Sequence, residues 1–172
     1  DLAEILIELQ QFDLANKLLK IASNSKSATY CHLLCRTGYF SDCIRLTTGL
    51  IDSLHTQQAK IPYIWHRGSA NYQTGDWTQA HSDFSFIIRY STNPLYVGRC
   101  HCLLGTITGI RGIDVEESQA QIKTGIKMMM KCGDRSGAWV GWNNLGEMMW
   151  KAGEWEDSKL FLKKALDIAQ GI

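Results

Sequence analysis

The sequence predicts an all-α chain built from helix hairpins, and three observations carry that prediction. Apolar residues recur every three or four positions along nearly the whole length. Only 2 prolines occur in 172 residues, and the period-two alternation of strands is almost absent. Glycine or Asn-Pro breaks separate the periodic stretches at intervals that suit pairs of helices.

In chain order, the end of one helix precedes a stretch in which Leu14, Leu18, Leu19 and Ala22 share a face. The next helix spans about Ser27 to Thr37 and stops at Gly38; its partner runs from Phe40 to about Leu54. Pro62 suits the first turn of a third hairpin, whose first helix ends near Thr74. Gly75 breaks it, and Asp76 is placed to cap a helix that continues to Tyr90. Asn93-Pro94 makes the next break, and helices over 95–111 and 115–131 follow. Gly133-Asp134 precedes a last pair over 136–152 and 155–170, split at Gly153. The count is nine full helices and the end of a tenth.

The pairs resemble one another. Phe12, Phe40, Trp77 and Trp155 each begin a second helix, with a small residue three positions later and, in several cases, an apolar one four beyond that: Leu19, Phe84, Leu162. Val115 fills the corresponding place in a weaker repeat. Gln10 stands where the other hairpins have a glycine.

These offsets resemble the tetratricopeptide repeat family. The best match is Trp142-Asn143-Asn144-Leu145-Gly146 with Gly153-Glu154-Trp155, Ser158, Leu162 and Ala165. The second is Gly68, Ala70, Tyr72, Gly75-Asp76-Trp77, Ala80 and Phe84. The resemblance covers nearly the whole chain and implies one domain over 1–172: a right-handed superhelix of about five antiparallel hairpins, a TPR-like α-solenoid. Its repeats would fall at about 1–23, 24–58, 59–93, 94–132 and 133–172. It also implies that Phe12, Phe40, Trp77 and Trp155 are buried at equivalent places. The chain starts without Met inside an apolar-periodic stretch, and reads as a segment of a longer protein.

Composition narrows the function. The net charge of +1, with both signs mixed along the chain, offers no field for nucleic acid or anionic membrane. No apolar run long enough for a transmembrane helix occurs, and a cytoplasmic location is expected. The 6 cysteines sit among apolar residues in helical stretches, which reads as reduced, buried thiols. Cys31-His32-x-x-Cys35 and Cys100-His101-Cys102 carry zinc-type ligands. Successive helical residues fan about 100° apart, so the second trio does not converge, and no metal or cofactor is expected. No phosphate-binding loop or nucleophile elbow occurs, and no catalytic residue is assigned.

The expected function is therefore a non-enzymatic scaffold that binds a protein or peptide on the first helices of its hairpins. The candidate contacts are His32, Arg36, Trp65, Tyr72, Asn143, Glu147, Trp150 and Lys151. Aromatic anchors bury large area at low entropy cost, and an Asn amide both donates to and accepts from a peptide group. Glu147 and Lys151 are also spaced to pair with each other. The alternative is a sensor or regulatory domain of a larger signalling protein, such as a transcriptional regulator. Gly133-Asp134-Arg135 followed by Asn143-Asn144-Leu145-Gly146 is similar to bacterial regulators of that sort. On that reading the partner includes neighbouring domains of the same chain.

Overall fold

The computed structural model describes residues 2–21, 26–112 and 114–171, and within them the chain forms ten α-helices and no strand. They are α1 (Leu2–Glu8), α2 (Phe12–Ile21), α3 (Ala28–Arg36), α4 (Phe40–Ser53), α5 (Gln57–Thr74), α6 (Trp77–Tyr90), α7 (Pro94–Ile110), α8 (Val115–Lys131), α9 (Arg135–Ala152) and α10 (Trp155–Gln170). Ala22, expected on the face of α2, lies outside the described residues. No helix among the described residues is long and apolar enough to cross a membrane.

Side-chain caps set where most of these helices begin. Ser27, Thr56, Asn93, Asp114 and Asp134 each accept a backbone N–H from the first turn of the helix that follows. Asp76 does the same for α6, accepting from the Gln79 N–H at 3.1 Å. One start differs from expectation. Pro62 lies inside α5, not in its first turn, because Thr56 caps the Ala59 N–H at 3.2 Å and opens the helix earlier.

Each of the five helix–turn–helix pairs turns through a residue with positive φ. The residues are Gln10 (60°), Gly38 (81°), Gly75 (82°), Gly112 (65°) and Gly153 (82°). This is the left-handed conformation that ends a helix and reverses the chain, and only glycine adopts it without a Cβ penalty. Gln10 accepts that strain to make the same turn between α1 and α2.

The chain packs as two compact units, residues 1–83 and 84–172, with the division inside α6. In the first, one cluster gathers Ala3, Leu6, Ile7, Ala15, Leu19 and Leu33. A second gathers Cys31, Leu34, Cys43 and Ala70. In the second unit the core holds Ile122, Ile126, Met129, Leu145, Met149 and Phe161, flanked by Trp142. Asp83, only 3% exposed, takes a bidentate ion pair from Arg67, at 2.7 and 3.0 Å, within the first unit. Asp134 takes the Arg99 Nε–H at 2.7 Å within the second.

The aromatic residues that open the second helices are not the buried ones. Phe12 and Phe40 are half-buried, Trp77 is 36% exposed and Trp155 is 61% exposed. The reason is their place in the helix. At the first position the Cα–Cβ bond tilts toward the N-terminus, over the turn; Phe12 and Phe40 reach only the edge of the neighbouring core clusters, and Trp77 and Trp155 stay largely in solvent. The small residue three positions on points inward instead: Ala15, Cys43, Ala80, Ser118 and Ser158 are all buried. Leu19, Phe84 and Ile122 continue that buried stripe. Leu162 does not, at 39% exposed. It lies against Gly146 of α9, and the outward half of α10 stays in solvent.

Candidate functional site

The expected contact residues stand on α3, α5 and α9, and they differ in what surrounds them. On α3, His32 is engaged by its own chain. Its Nδ1 is 3.6 Å from Glu4 and its Nε2 3.7 Å from Glu8, both carboxylates of α1. Its ring stacks on His66 at 5.6 Å between centroids. Burial, with the neighbouring His32, pushes the His66 imidazole down to about 3, so it is neutral at ordinary pH. Arg36 is exposed and borders an open groove of about 650 Å³ with Asp13, Tyr30, Tyr39 and Asp42. A second groove, of about 700 Å³, shares Tyr30 and Asp42 and runs along α4 past Arg45 and Leu50. The grooves of this unit thus border α4, a second helix. On α5, Trp65 and Tyr72 are both half-buried and, two turns apart, lie on the same side of the helix.

In the second unit the residues converge. At 100° per residue, Trp139, Asn143, Glu147, Trp150, Val140 and Lys151 fall within about a third of the circumference of α9. All but the half-buried Asn143 are exposed. Trp150 is 58% exposed, and Trp139 and Val140 are each 40% exposed. Across the Gly153 turn, Trp155 meets Trp150 edge-on, with centroids 6.4 Å apart and planes at 68°. Asn143 donates from Nδ2 to the Glu147 carboxylate at 2.8 Å, so Glu147 pairs backward along the helix, not forward with Lys151. Asn144 serves a different purpose: its amide donates to the Thr106 hydroxyl at 3.1 Å and ties α9 to α7.

Sequence reasoning named four members of this face and missed three. Trp139 was legible in the spacing 139, 143, 147, 150, a single helical stripe, and Val140 in 140, 147, 151 beside it. Trp155 was hidden by its assignment to the core. Trp142, by contrast, packs partly inward: it is half-buried, stacks on Phe161 at 5.6 Å and lies under Lys164 at 4.4 Å.

All six cysteines are free thiols. Cys31, Cys43, Cys100 and Cys102 are buried and Cys35 is half-buried, but Cys132, next to the Gly133 turn, is exposed, contrary to expectation. Among the described residues no group of three His, Cys, Asp or Glu side chains is placed to hold a metal ion. The α9 face presents two exposed tryptophan rings, an amide and charges of both signs along one helix. No family model matches the sequence, and comparisons with curated proteins and with solved structures return no match.

Proposed function

We propose that the chain is a TPR-like scaffold that binds a protein or peptide, and that α9 supplies the central contacts. The observation that carries this reading is the exposed aromatic pair Trp150 and Trp155, with Trp139 about three turns away on the same face of α9. Large apolar rings held in water by a helix hairpin gain by docking, and clusters of this kind mark interaction sites. Asn143 and Glu147 beside them supply the polar contacts that fix a peptide's direction. The winding of the hairpins into a right-handed superhelix, with first helices lining its inner face, belongs to the same proposal. So does a cytoplasmic location, which the free thiols support.

The test selects peptides from a displayed random library against the purified chain and measures their affinity for variants. Trp150→Ala is expected to weaken binding by about 2 kcal/mol or more, roughly thirtyfold, with no change in helicity. Trp155→Ala is expected to act similarly, at a stability cost well below the ~3–5 kcal/mol of a buried aromatic. Lys127→Glu, at an exposed position of α8, is expected to bind normally. Loss of binding in Lys127→Glu, with both tryptophan variants normal, would show that the partner docks on the second helices, away from α9.

A further inference from the structure

Three of the six cysteines meet where α3, α4 and α5 pack together. Cys31 and Cys35 are one turn apart on one side of α3, and Cys43 lies in the first turn of α4. The sulfurs of Cys35 and Cys43 are 3.4 Å apart. Both thiols donate toward one acceptor, the backbone carbonyl of His66 on α5, at 3.6 and 3.7 Å. Cys43 also lies 3.7 Å from the Cys31 carbonyl oxygen. Cys31 and Cys43 are fully buried, whereas Cys35 is half-buried. Cys35 is thus the member of the trio that an outside reagent reaches.

We infer that Cys35 and Cys43 are a dithiol–disulfide site, closed by exchange with a small disulfide such as glutathione disulfide. In the first step the Cys35 thiolate attacks one sulfur of the reagent. A Cys35–glutathione bond forms, the reagent's S–S bond breaks, and one glutathione thiolate leaves and takes up a proton. In the second step Cys43 gives up its proton and its thiolate attacks the Cys35 sulfur, displacing the second glutathione as thiol. The protein loses two electrons and two protons, and the reagent gains them. The sulfurs must close from 3.4 Å to about 2.05 Å, across a hairpin that turns at the exposed Gly38. The order of events follows from the surroundings. Contact with the Cys31 and Cys35 thiols, and then burial, holds the Cys43 thiol above its ordinary value, so it waits as the resolving group. Contact with Cys43 lowers Cys31, but no solvent reaches it. A disulfide here would staple α3 to α4 on the side of the hairpin that packs against α5.

The experiment uses the full chain carrying Cys132→Ser, which removes the exposed thiol as a source of links between molecules. The folded protein is exposed to glutathione disulfide, quenched in acid, alkylated and mapped by peptide mass spectrometry. The expected result is loss of two titratable thiols and a link between the peptides carrying Cys35 and Cys43. Fragmentation between Cys31 and Cys35 identifies the partner. The link should reverse with dithiothreitol, leave helicity intact, and be absent in Cys35→Ser, which keeps its other thiols free. A link through Cys31, a glutathione adduct that stays on Cys35, the absence of any reaction, or a link that forms only as helicity is lost would each overturn the proposal.

Discussion

Residues 1–83 and 84–172 both need helices that cross closely, and they fill the crossing with different small groups. In the first unit thiols and methyl groups take most of the buried small positions, Ala15, Cys31, Cys43 and Ala70, with one buried glycine, Gly68. In the second, buried glycines on α7, α8 and α9 dominate, beside Cys102 and Ala138. Gly98 on α7 faces Gly125 on α8, and Gly105 faces the Ser118 backbone, where a Cβ would lie 2.7 Å from the carbonyl oxygen. Ser118 adds a hydroxyl that donates to the Gly105 carbonyl. The repeat position thus specifies a volume, and the residue that meets it decides what else the unit does. Thiols bring redox chemistry into the first unit. Glycine brings backbone to backbone in the second, at about 1 kcal/mol of helix propensity each relative to alanine.

The largest expected effect tests the glycine crossing. A Cβ at Gly125 would strike the Gly98 carbonyl oxygen and lie 2.9 Å from the Cys102 backbone nitrogen, neither of which rotates away. Gly125→Ala should therefore force α7 from α8 and cost about 2–3 kcal/mol, the range of overpacked cores, despite alanine's better propensity. Thermal melting measures the loss, and amide exchange should place it in α7 and α8. A neutral or stabilising result would mean that these helices have room between them.

A second test uses the two ion pairs, whose carboxyls respond oppositely to pH. At Asp134 burial alone would raise the carboxyl, but Arg99 and the Gly137 N–H outweigh it and hold it below the ordinary value of 3.8. Asp134 therefore stabilises the second unit above its unfolded value, and that contribution is lost as pH falls through the folded one. At Asp83 burial dominates and the carboxyl is raised despite Arg67. Its contribution is fully present below the unfolded value and lost as pH rises through the folded one. Acidification below about pH 4 should loosen the second unit's amides while Asp83 opposes loosening in the first. Asp134→Asn keeps a competent cap, should cost about 1–2 kcal/mol at neutral pH, and should flatten the acid response of α9. An unchanged acid profile in that variant would remove Asp134 from the account.

Helix identity was legible because the signals are local. Asp76, Asn93 and Gly153 act within one turn of where they stand, and every hairpin break fell where the sequence put it. Pro62 misled because a proline suits a helix start in general, whereas Thr56 is the residue that caps this one. Trp155 misled because ring size was equated with burial. Its position at the head of a helix turns the ring outward, and the modest Ser158 is what goes inside. The division of the chain inside α6 left no trace, since neither composition nor periodicity changes there. The α9 face was half-legible: the 139, 143, 147, 150 stripe is written in spacing, but its exposure depends on which side of α9 packs against α7, α8 and α10. The approach of Cys43 to Cys35 depends likewise on how two helices cross, which no local pattern encodes.

The smallest expected effect reverses the sign of the first. Gly49, in the interior of α4, is exposed, and a Cβ built there meets nothing within 4 Å. It is a helical glycine without a crossing to serve, in the unit whose close contacts use mostly thiols and alanine. Gly49→Ala should therefore gain helix propensity and reduce the freedom of the unfolded chain with no packing cost. Together these stabilise by about 0.4–1 kcal/mol, a rise in melting temperature of about 2 °C for a chain of this size. The same chemical change, one methyl group, should thus weaken one unit and strengthen the other. If Gly49→Ala destabilises instead, something covers that side of α4, where the larger groove opens. Repeating the melt with a selected peptide present would then show whether Gly49 belongs to a contact surface: a peptide that protects the parent chain but not the alanine variant would place the partner on α4 and move the binding site from the second unit to the first.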